Sequence, residues 1–522
     1  VKHATRISSS RARRSIAAVV AHVLFILGIV IAPVCASADM LWFQRGQLTP
    51  QAREVIAALR SAETFGLRPD EYALPLSDAQ RQQLESGAAS DELQLRADAA
   101  LSASAAKFLS HLRYGRVTAK QVGFDLPAPK IPADSMLAVR ELAVARDVRS
   151  AIASHEPRAV PYRLLQRALA QYRDLASRPL PTLSPVSKSI RAGDAYADAP
   201  VLREILRTLG DLAPAKAATD EPMALDDELV AALERFQRRH GLDPDGVLGK
   251  RTHAALTTPL RRRVEQIELT LERWRWTAAM QRPDIVVNIP QFMLFALPRA
   301  EGDATLEMPV VVGQTYPHMR TPIFTAQLQY LVFQPFWDVP ASIVRREILP
   351  LIRKDPGYLD KHRMELVRGQ SDDSPVVPAT SEAIEALAAG KLRLRQRPGP
   401  GNSLGQVKFM MPNPYNVYLH ATPATELFGR PRRAFSHGCV RVSEPALLAQ
   451  YVLQNAAERW DAERIEAAMC ATAMQRVNLQ QPLQVMVFYG TAVATETSGL
   501  LFVDDIYGHD ARLAAALRQR RR

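Results

Sequence analysis

The sequence predicts a multidomain α+β protein: a helical N-terminal domain, a small three-helix module, and a mostly β domain with an inserted lid. Three observations support this. At 522 residues the chain exceeds what one core supports, which points to two to four domains. After a short leader, the first third is rich in Ala, Leu, Arg and Glu with apolar residues at helical spacing. The second half changes to short apolar runs punctuated by Gly and Pro, the texture of strands. The 47% hydrophobic and 23% charged fractions belong to a globular protein rather than a disordered or polytopic one.

The leader comes first. Lys2, Arg6, Arg11, Arg13 and Arg14 precede an apolar run over 16–32, and Ala36-Ser37-Ala38 follows as a small-residue cleavage site. This order marks residues 1–38 as a secretory signal peptide, cut after Ala38. The bland alternative is an uncleaved anchor, for which a run of about 17 residues containing His22 is marginal. The formal charge of +12 suits nucleic acid, anionic lipid and cell-wall polymer alike. Without the five leader charges it falls to about +7, and the export signal further disfavours a nucleic-acid binder.

Residues 39–184 read as a helical domain, with clear periodicity over 51–64 and 93–114. His111 there reads as a packed residue rather than a ligand. Pro179, Pro181 and Pro185 mark a linker. Residues 193–260 form a compact unit. Its amphipathic helix ends in Phe236-Gln237 and is followed by His240-Gly241-Leu242, Asp245-Gly246-Val247, Gly249 and a second helix from Thr252 to Leu256. The bland reading is a generic three-helix bundle, since Asp-Gly and His-Gly also serve as turns and helix ends. The β-rich texture occupies 264–510, interrupted over 342–406 by a polar, helix-containing stretch. That stretch is too long for a plain loop and reads as a lid.

Three cysteines occur, Cys35, Cys439 and Cys470. Cys35 falls in the leader. Cys470 lies in a helical stretch and reads as a small buried apolar residue. Cys439 stands in Ser436-His437-Gly438-Cys439-Val440-Arg441, 19 residues after His420, which ends an apolar strand. Nucleophilic cysteine chemistry needs a thiolate, a base that makes it, and donors for the oxyanion formed on attack. His420 suits the base. Gly438 removes a side chain beside the nucleophile and lets backbone N–H groups approach a carbonyl. Arg441 favours thiolate and attracts a carboxylate. Three other readings stay open: Cys439 as plain core, a Cys439–Cys470 disulfide, and a zinc site of His420, His437 and Cys439.

The residues Tyr418-Leu419-His420-Ala421-Thr422-Pro423, Leu427-Phe428, Arg433-Ala434-Phe435 and the Ser436–Val442 block together resemble the L,D-transpeptidase (YkuD-type) signature. Val311-Val312-Gly313, Thr321-Pro322, Trp337-Asp338-Val339-Pro340, the 395–405 run, Phe488-Tyr489 and Asp505–Asp510 resemble its long, lid-bearing Gram-negative subgroup. The resemblance spans about 264–510. It extends more weakly to the helical domain through 65–72 and 114–116. The 193–260 unit is similar to the small peptidoglycan-binding module.

The resemblance implies a YkuD-like β-sandwich and a periplasmic enzyme. It would act on peptidoglycan tetrapeptide stems, both as donor and as acceptor, and would need no metal or other cofactor. Cys439 would release the terminal D-alanine through a thioester, and an amine of a second stem would resolve it as a 3→3 cross-link. His420 would be the base, oriented by the Ala421 carbonyl. Many relatives in the subgroup carry an acidic residue at that position, and alanine supplies the carbonyl without a carboxylate. Gly438 and Cys439 N–H groups would form the oxyanion hole. His437 and Arg441 would position substrate, supported by Ser436 and Tyr418, with Trp337 lining the groove or sitting in core. Carbapenems are expected to acylate Cys439. Peptidoglycan synthases or carboxypeptidases are candidate partners, and nucleic acid is not. Two competitors remain on the same scaffold: a stem hydrolase, and an enzyme attaching lipoproteins to the wall or releasing them. A third is a non-catalytic wall-binding scaffold.

Overall fold

The computed structural model describes residues 40–131, 134–214, 222–278, 280–300, 303–496 and 499–519; the leader expected over 1–38 lies outside them. The first described elements are helical. Thr49 caps the helix Pro50–Arg60, with proline at its first position, where the missing N–H costs nothing. Ser77 and Gln80 form a capping box on Asp78–Ser86. Ser90 caps the 24-residue helix Asp91–Tyr114. His111 on that helix is buried, its Nδ1 lying 2.8 Å from the Tyr72 hydroxyl.

Helices Ala199–Thr208, Asp227–Arg239 and Lys250–Leu256 close around Leu202, Leu206, Leu229, Leu233 and Phe236. The Gln237 amide organises the turn between the last two. Its nitrogen donates to Asp245 Oδ1 at 2.8 Å, to the Val247 carbonyl at 3.0 Å and to Thr252 Oγ1 at 3.1 Å, and its oxygen accepts from Gly246 N–H at 2.9 Å. One buried amide thus ties Gln237, Asp245-Gly246-Val247 and Thr252 together. Helix Leu260–Arg275 then runs into the β domain, burying Glu272, Arg273 and Arg275. Glu272 pairs with Arg275 at 2.9 Å and with Arg116 of the helical domain at 3.6 Å. Arg273 pairs with Asp510 at 2.6 Å.

The β domain is organised by one sheet. Its order is Leu306–Gly313, Val440–Val442, Leu419–His420, Val407–Met410, Phe324–Phe333, Gln475–Phe488, Ile285–Asn288, Met293–Ala296, with the last strand pairing back to the first. Where the resemblance implied a sandwich, eight strands therefore close into a barrel, which removes the sheet edges. Its interior is filled by residues such as Ile285, Leu294, Val310, Leu331, Phe409 and Leu419. The short strand Ala434–Ser436 adds in parallel to the end of Leu306–Gly313.

The polar insertion is a folded unit. Strands Trp337–Asp338, Arg393–Gln396, Met364–Val367 and Val376–Val377 make an antiparallel sheet. Helices including Leu349–Lys354 and Ser381–Ala388 cover a core of Ile348, Ile352, Leu366, Leu387 and Leu394. Among the described residues no helix is long and apolar enough to cross a membrane.

Candidate active site

Strand register brings the chemistry together. Strands Leu419–His420 and Val440–Val442 run parallel, with Leu419 opposite Val440 and His420 opposite Arg441. Side chains alternate along a strand, so Tyr418 and His420 share one face with Cys439 and Arg441. Cys439 then sits beside Tyr418 and diagonally across from His420. The bond from Val440 N–H to the Tyr418 carbonyl (3.1 Å) fixes this register at the nucleophile.

His420 is buried. Its Nδ1 lies 2.6 Å from the Ala421 carbonyl, which can only accept, so Nδ1 carries the proton. Burial, joined by the nearby Arg441 cation, lowers its pKa to about 3 against the opposing pull of the Ala421 and Leu404 carbonyls. The imidazole is therefore neutral at physiological pH, with Nε2 unprotonated. Gly405 makes the fit behind it. At φ +63, a Cβ there would lie 2.6 Å from Ala421 Cβ and 2.7 Å from Thr422 N.

Cys439 is half-buried, and both Cys439 and Cys470 are free thiols. Burial raises the Cys439 pKa, although hydrogen bonds from the Tyr418 backbone and hydroxyl and the Arg441 charge act to lower it. Burial thus favours a neutral thiol beside a neutral imidazole, working against the Arg441 charge that favours thiolate. Cys439 Sγ lies 3.8 Å from the carbonyl of Asn416, a left-handed residue at φ +52. Cys470, expected to be buried, is exposed, because it is the last residue of helix Ala462–Cys470 and faces outward.

The remaining candidates divide. Ser436 is buried and its hydroxyl grips the nucleophile loop, donating to the Cys439 carbonyl at 2.5 Å and accepting from Gly438 N–H at 3.1 Å. The Gly438 N–H, expected as an oxyanion donor, is thus engaged by Ser436. Gly438 itself adopts φ +122, open to glycine alone. Tyr418 packs edge-on to His420 with ring centroids 5.6 Å apart. Arg441 is near Cys439 and Glu426, and its Nε is buried without a hydrogen-bond partner. His437 points away to the lid, its Nε2 lying 2.7 Å from Glu347 Oε1. Trp337 packs against the lid core and pairs in register with Gln396. Among the described residues no three His, Cys, Asp or Glu side chains are grouped to hold a metal ion.

Three residues without an expected role stand out. Glu347 lies in a π-helical turn, Val344–Ile348, a geometry frequent at functional sites; nothing in its sequence context signals this. Thr321 and Tyr507 belong to motifs noticed in the sequence, but their partners are 117 and 194 residues away in the chain.

The family matches agree with this architecture. Residues 282–460 match the family described as "L,D-transpeptidase catalytic domain". That region is an L,D-transpeptidase catalytic domain. Residues 36–169 match a family described as "Scaffold domain", and 197–256 match "Putative peptidoglycan binding domain". A Haemophilus influenzae protein named "Putative L,D-transpeptidase" is 33% identical over 233 residues, which cover 44% of this chain and 45% of that protein. The chain thus aligns with under half the length of that curated relative. Among solved structures, L,D-transpeptidase 3 from Mycobacterium tuberculosis, bearing a faropenem-derived adduct, is 16% identical. The match covers 39% of this chain and 60% of that one, at a TM-score of 0.17.

Proposed function

We propose that this chain is a periplasmic cysteine L,D-transpeptidase that joins peptidoglycan tetrapeptide stems by 3→3 cross-links. The observation that carries the reading is the diagonal pair on adjacent parallel strands, Cys439 and His420, with Nδ1 of the histidine tied to the Ala421 carbonyl. His420 Nε2 takes the Cys439 proton as the sulfur attacks the carbonyl carbon of the third stem residue. A C–S bond forms and the carbonyl electrons move onto oxygen, which the Cys439 N–H stabilises. The oxyanion collapses, the C–N bond breaks, and the imidazolium returns its proton to the departing D-alanine amine. A thioester remains. The side-chain amine of the third residue of another stem then attacks it, giving up a proton to His420 as the C–S bond breaks.

Gly438, at φ +122, lets the nucleophile loop take the turn that presents the sulfur. Arg441, with an unpartnered Nε, suits a stem carboxylate; Tyr418 borders the donor groove, Ser436 holds the nucleophile loop, and His437 ties that loop to Glu347 of the lid. The lid excludes water until the amine arrives. The module at 193–260 would hold the enzyme on its polymer.

The test is incubation of the full chain with disaccharide-tetrapeptide, beside Cys439→Ala, with products read by mass spectrometry. Cross-linked dimers short of one D-alanine, absent from the variant, are expected. Tripeptide alone would shift the reading to a stem hydrolase, and unchanged substrate in both samples would remove the enzymatic reading.

A further inference from the structure

We propose that Thr321, backed by Tyr507, is a positioning residue that aims the Cys439 N–H at the oxyanion of the reacting carbonyl. This rests on the transpeptidase reading above and deepens it.

The geometry is a chain of short bonds from the C-terminal segment to the nucleophile loop. Thr321 Oγ1 donates to the Gly438 carbonyl at 2.8 Å and accepts from Gly313 N–H at 2.8 Å. Thr321 N–H donates to the Tyr507 hydroxyl at 3.2 Å, and that hydroxyl donates to the Gly313 carbonyl at 2.5 Å. Tyr507 is held in turn: its N–H donates to the Tyr489 hydroxyl at 2.9 Å, which donates to Asp505 at 2.7 Å. Thr321 and Tyr507 are only 1% and 3% exposed. The approach depends on Gly313, where a Cβ would meet the Met319 carbonyl oxygen at 2.1 Å and Thr321 N at 2.5 Å.

What the hydroxyl holds is one half of a rigid unit. The Gly438 carbonyl and the Cys439 N–H belong to the same planar trans peptide and point in opposite directions. Fixing the oxygen fixes the aim of the N–H. Glycine at φ +122 leaves that peptide little intrinsic restraint, so the restraint must come from outside. Ser436 grips the flanking groups, the Gly438 N–H and the Cys439 carbonyl. Thr321 supplies the bond between them. Among the described residues the Cys439 N–H has no hydrogen-bond partner, which leaves it available to a substrate oxygen.

A buried threonine is more often simply a satisfied core hydroxyl, so the test separates aiming from folding. Two reactions at the same sulfur differ in one respect. Iodoacetamide alkylates by forming S–C as C–I breaks and iodide leaves, without an oxyanion. A carbapenem acylates by forming S–C at the lactam carbonyl through a tetrahedral oxyanion, with the lactam C–N bond breaking. Both rates are measured on the full chain by mass mapping of the peptide that contains Cys439, since Cys470 is also a free thiol, for wild type, Thr321→Val, Thr321→Ser and Tyr507→Phe. Deleting an oxyanion donor costs roughly 10²–10³ in rate, so loosening one predicts acylation about ten- to a hundredfold slower in Thr321→Val. Alkylation should stay within about twofold, Thr321→Ser should restore acylation, and Tyr507→Phe should fall between. Equal loss of both reactions in Thr321→Val, or no loss of acylation, would overturn the proposal. A wild-type protein that alkylates but never acylates would instead overturn the functional reading, and this inference with it.

Discussion

Gly405→Ala tests whether the packing behind His420 is what orients it. The added methyl would sit 2.6 Å from Ala421 Cβ, 2.7 Å from Thr422 N and 2.9 Å from the Ala421 carbonyl carbon. All three belong to the stretch whose carbonyl accepts from His420 Nδ1, and none is the end of a flexible side chain. Alanine at φ +63 adds about 1–2 kcal/mol of left-handed strain, and forcing the neighbours apart costs roughly another 1–3 kcal/mol. A loss of about 2–5 kcal/mol lowers the melting temperature by roughly 5–15 °C for a domain of this size. The larger consequence is chemical. If the Ala421 carbonyl shifts, the imidazole loses its tether and its aim at Cys439. Positioned acid–base groups contribute about 10²–10⁴ in rate, so partial misalignment should slow acylation by about ten- to a hundredfold. The assays are thermal melting and time-resolved intact mass with a carbapenem. A variant that melts within a degree of wild type and acylates at the same rate would refute the packing argument.

Burial raises the Cys439 pKa, so its iodoacetamide alkylation rate should climb about tenfold per pH unit from 7 to 9; a plateau below pH 7 would mean a standing thiolate–imidazolium pair. Because the His420 pKa is depressed to about 3, no inflection near pH 6.5 is expected from the imidazole. Glu272 is fully buried between Arg116 and Arg275, so Glu272→Ala should destabilise the protein by about 3–5 kcal/mol by leaving the buried Arg275 without a carboxylate partner and Arg116 with Glu71 alone; chemical denaturation at wild-type midpoint would contradict this. The Glu347–His437 pair is 42% and 34% exposed, worth about 0.2–1 kcal/mol. If it holds the lid over Cys439, Glu347→Ala should raise the tripeptide-to-dimer product ratio by up to about fivefold, and an unchanged ratio would remove the lid from that role.

How far the sequence carried the account depended on how local each signal was. The helical stretches, the turn after Gln237 and the strand texture are written within a few residues of where they act, and the structure shows each of them. The sequence also points to His420 and Cys439 as a pair, since a strand, a loop and a return strand leave few arrangements, and the strand register sets the two diagonally to each other. Barrel closure was not legible, since it depends on pairing Met293–Ala296 with Leu306–Gly313, and side-chain alternation is the same in a sandwich. The Arg441 charge that favours thiolate shows in the sequence, and the burial that opposes it does not. Cys470 was misplaced because helix periodicity does not say which side of the last turn faces solvent. Thr321 and Tyr507 were visible as motif members, but their bonds to Gly438 and Gly313 span much of the domain, and Glu347 carried no signal at all.

The central claim is that a stem peptide passes through a thioester on Cys439. The direct measurement is a single-turnover reaction of the full chain with a tetrapeptide donor and no acceptor, quenched in acid and mapped by peptide mass spectrometry. The account predicts one equivalent of free D-alanine and a tripeptide adduct on the peptide containing Cys439, both absent in Cys439→Ala. D-alanine release that persists in Cys439→Ala, or an adduct that maps to Cys470 instead, would contradict it.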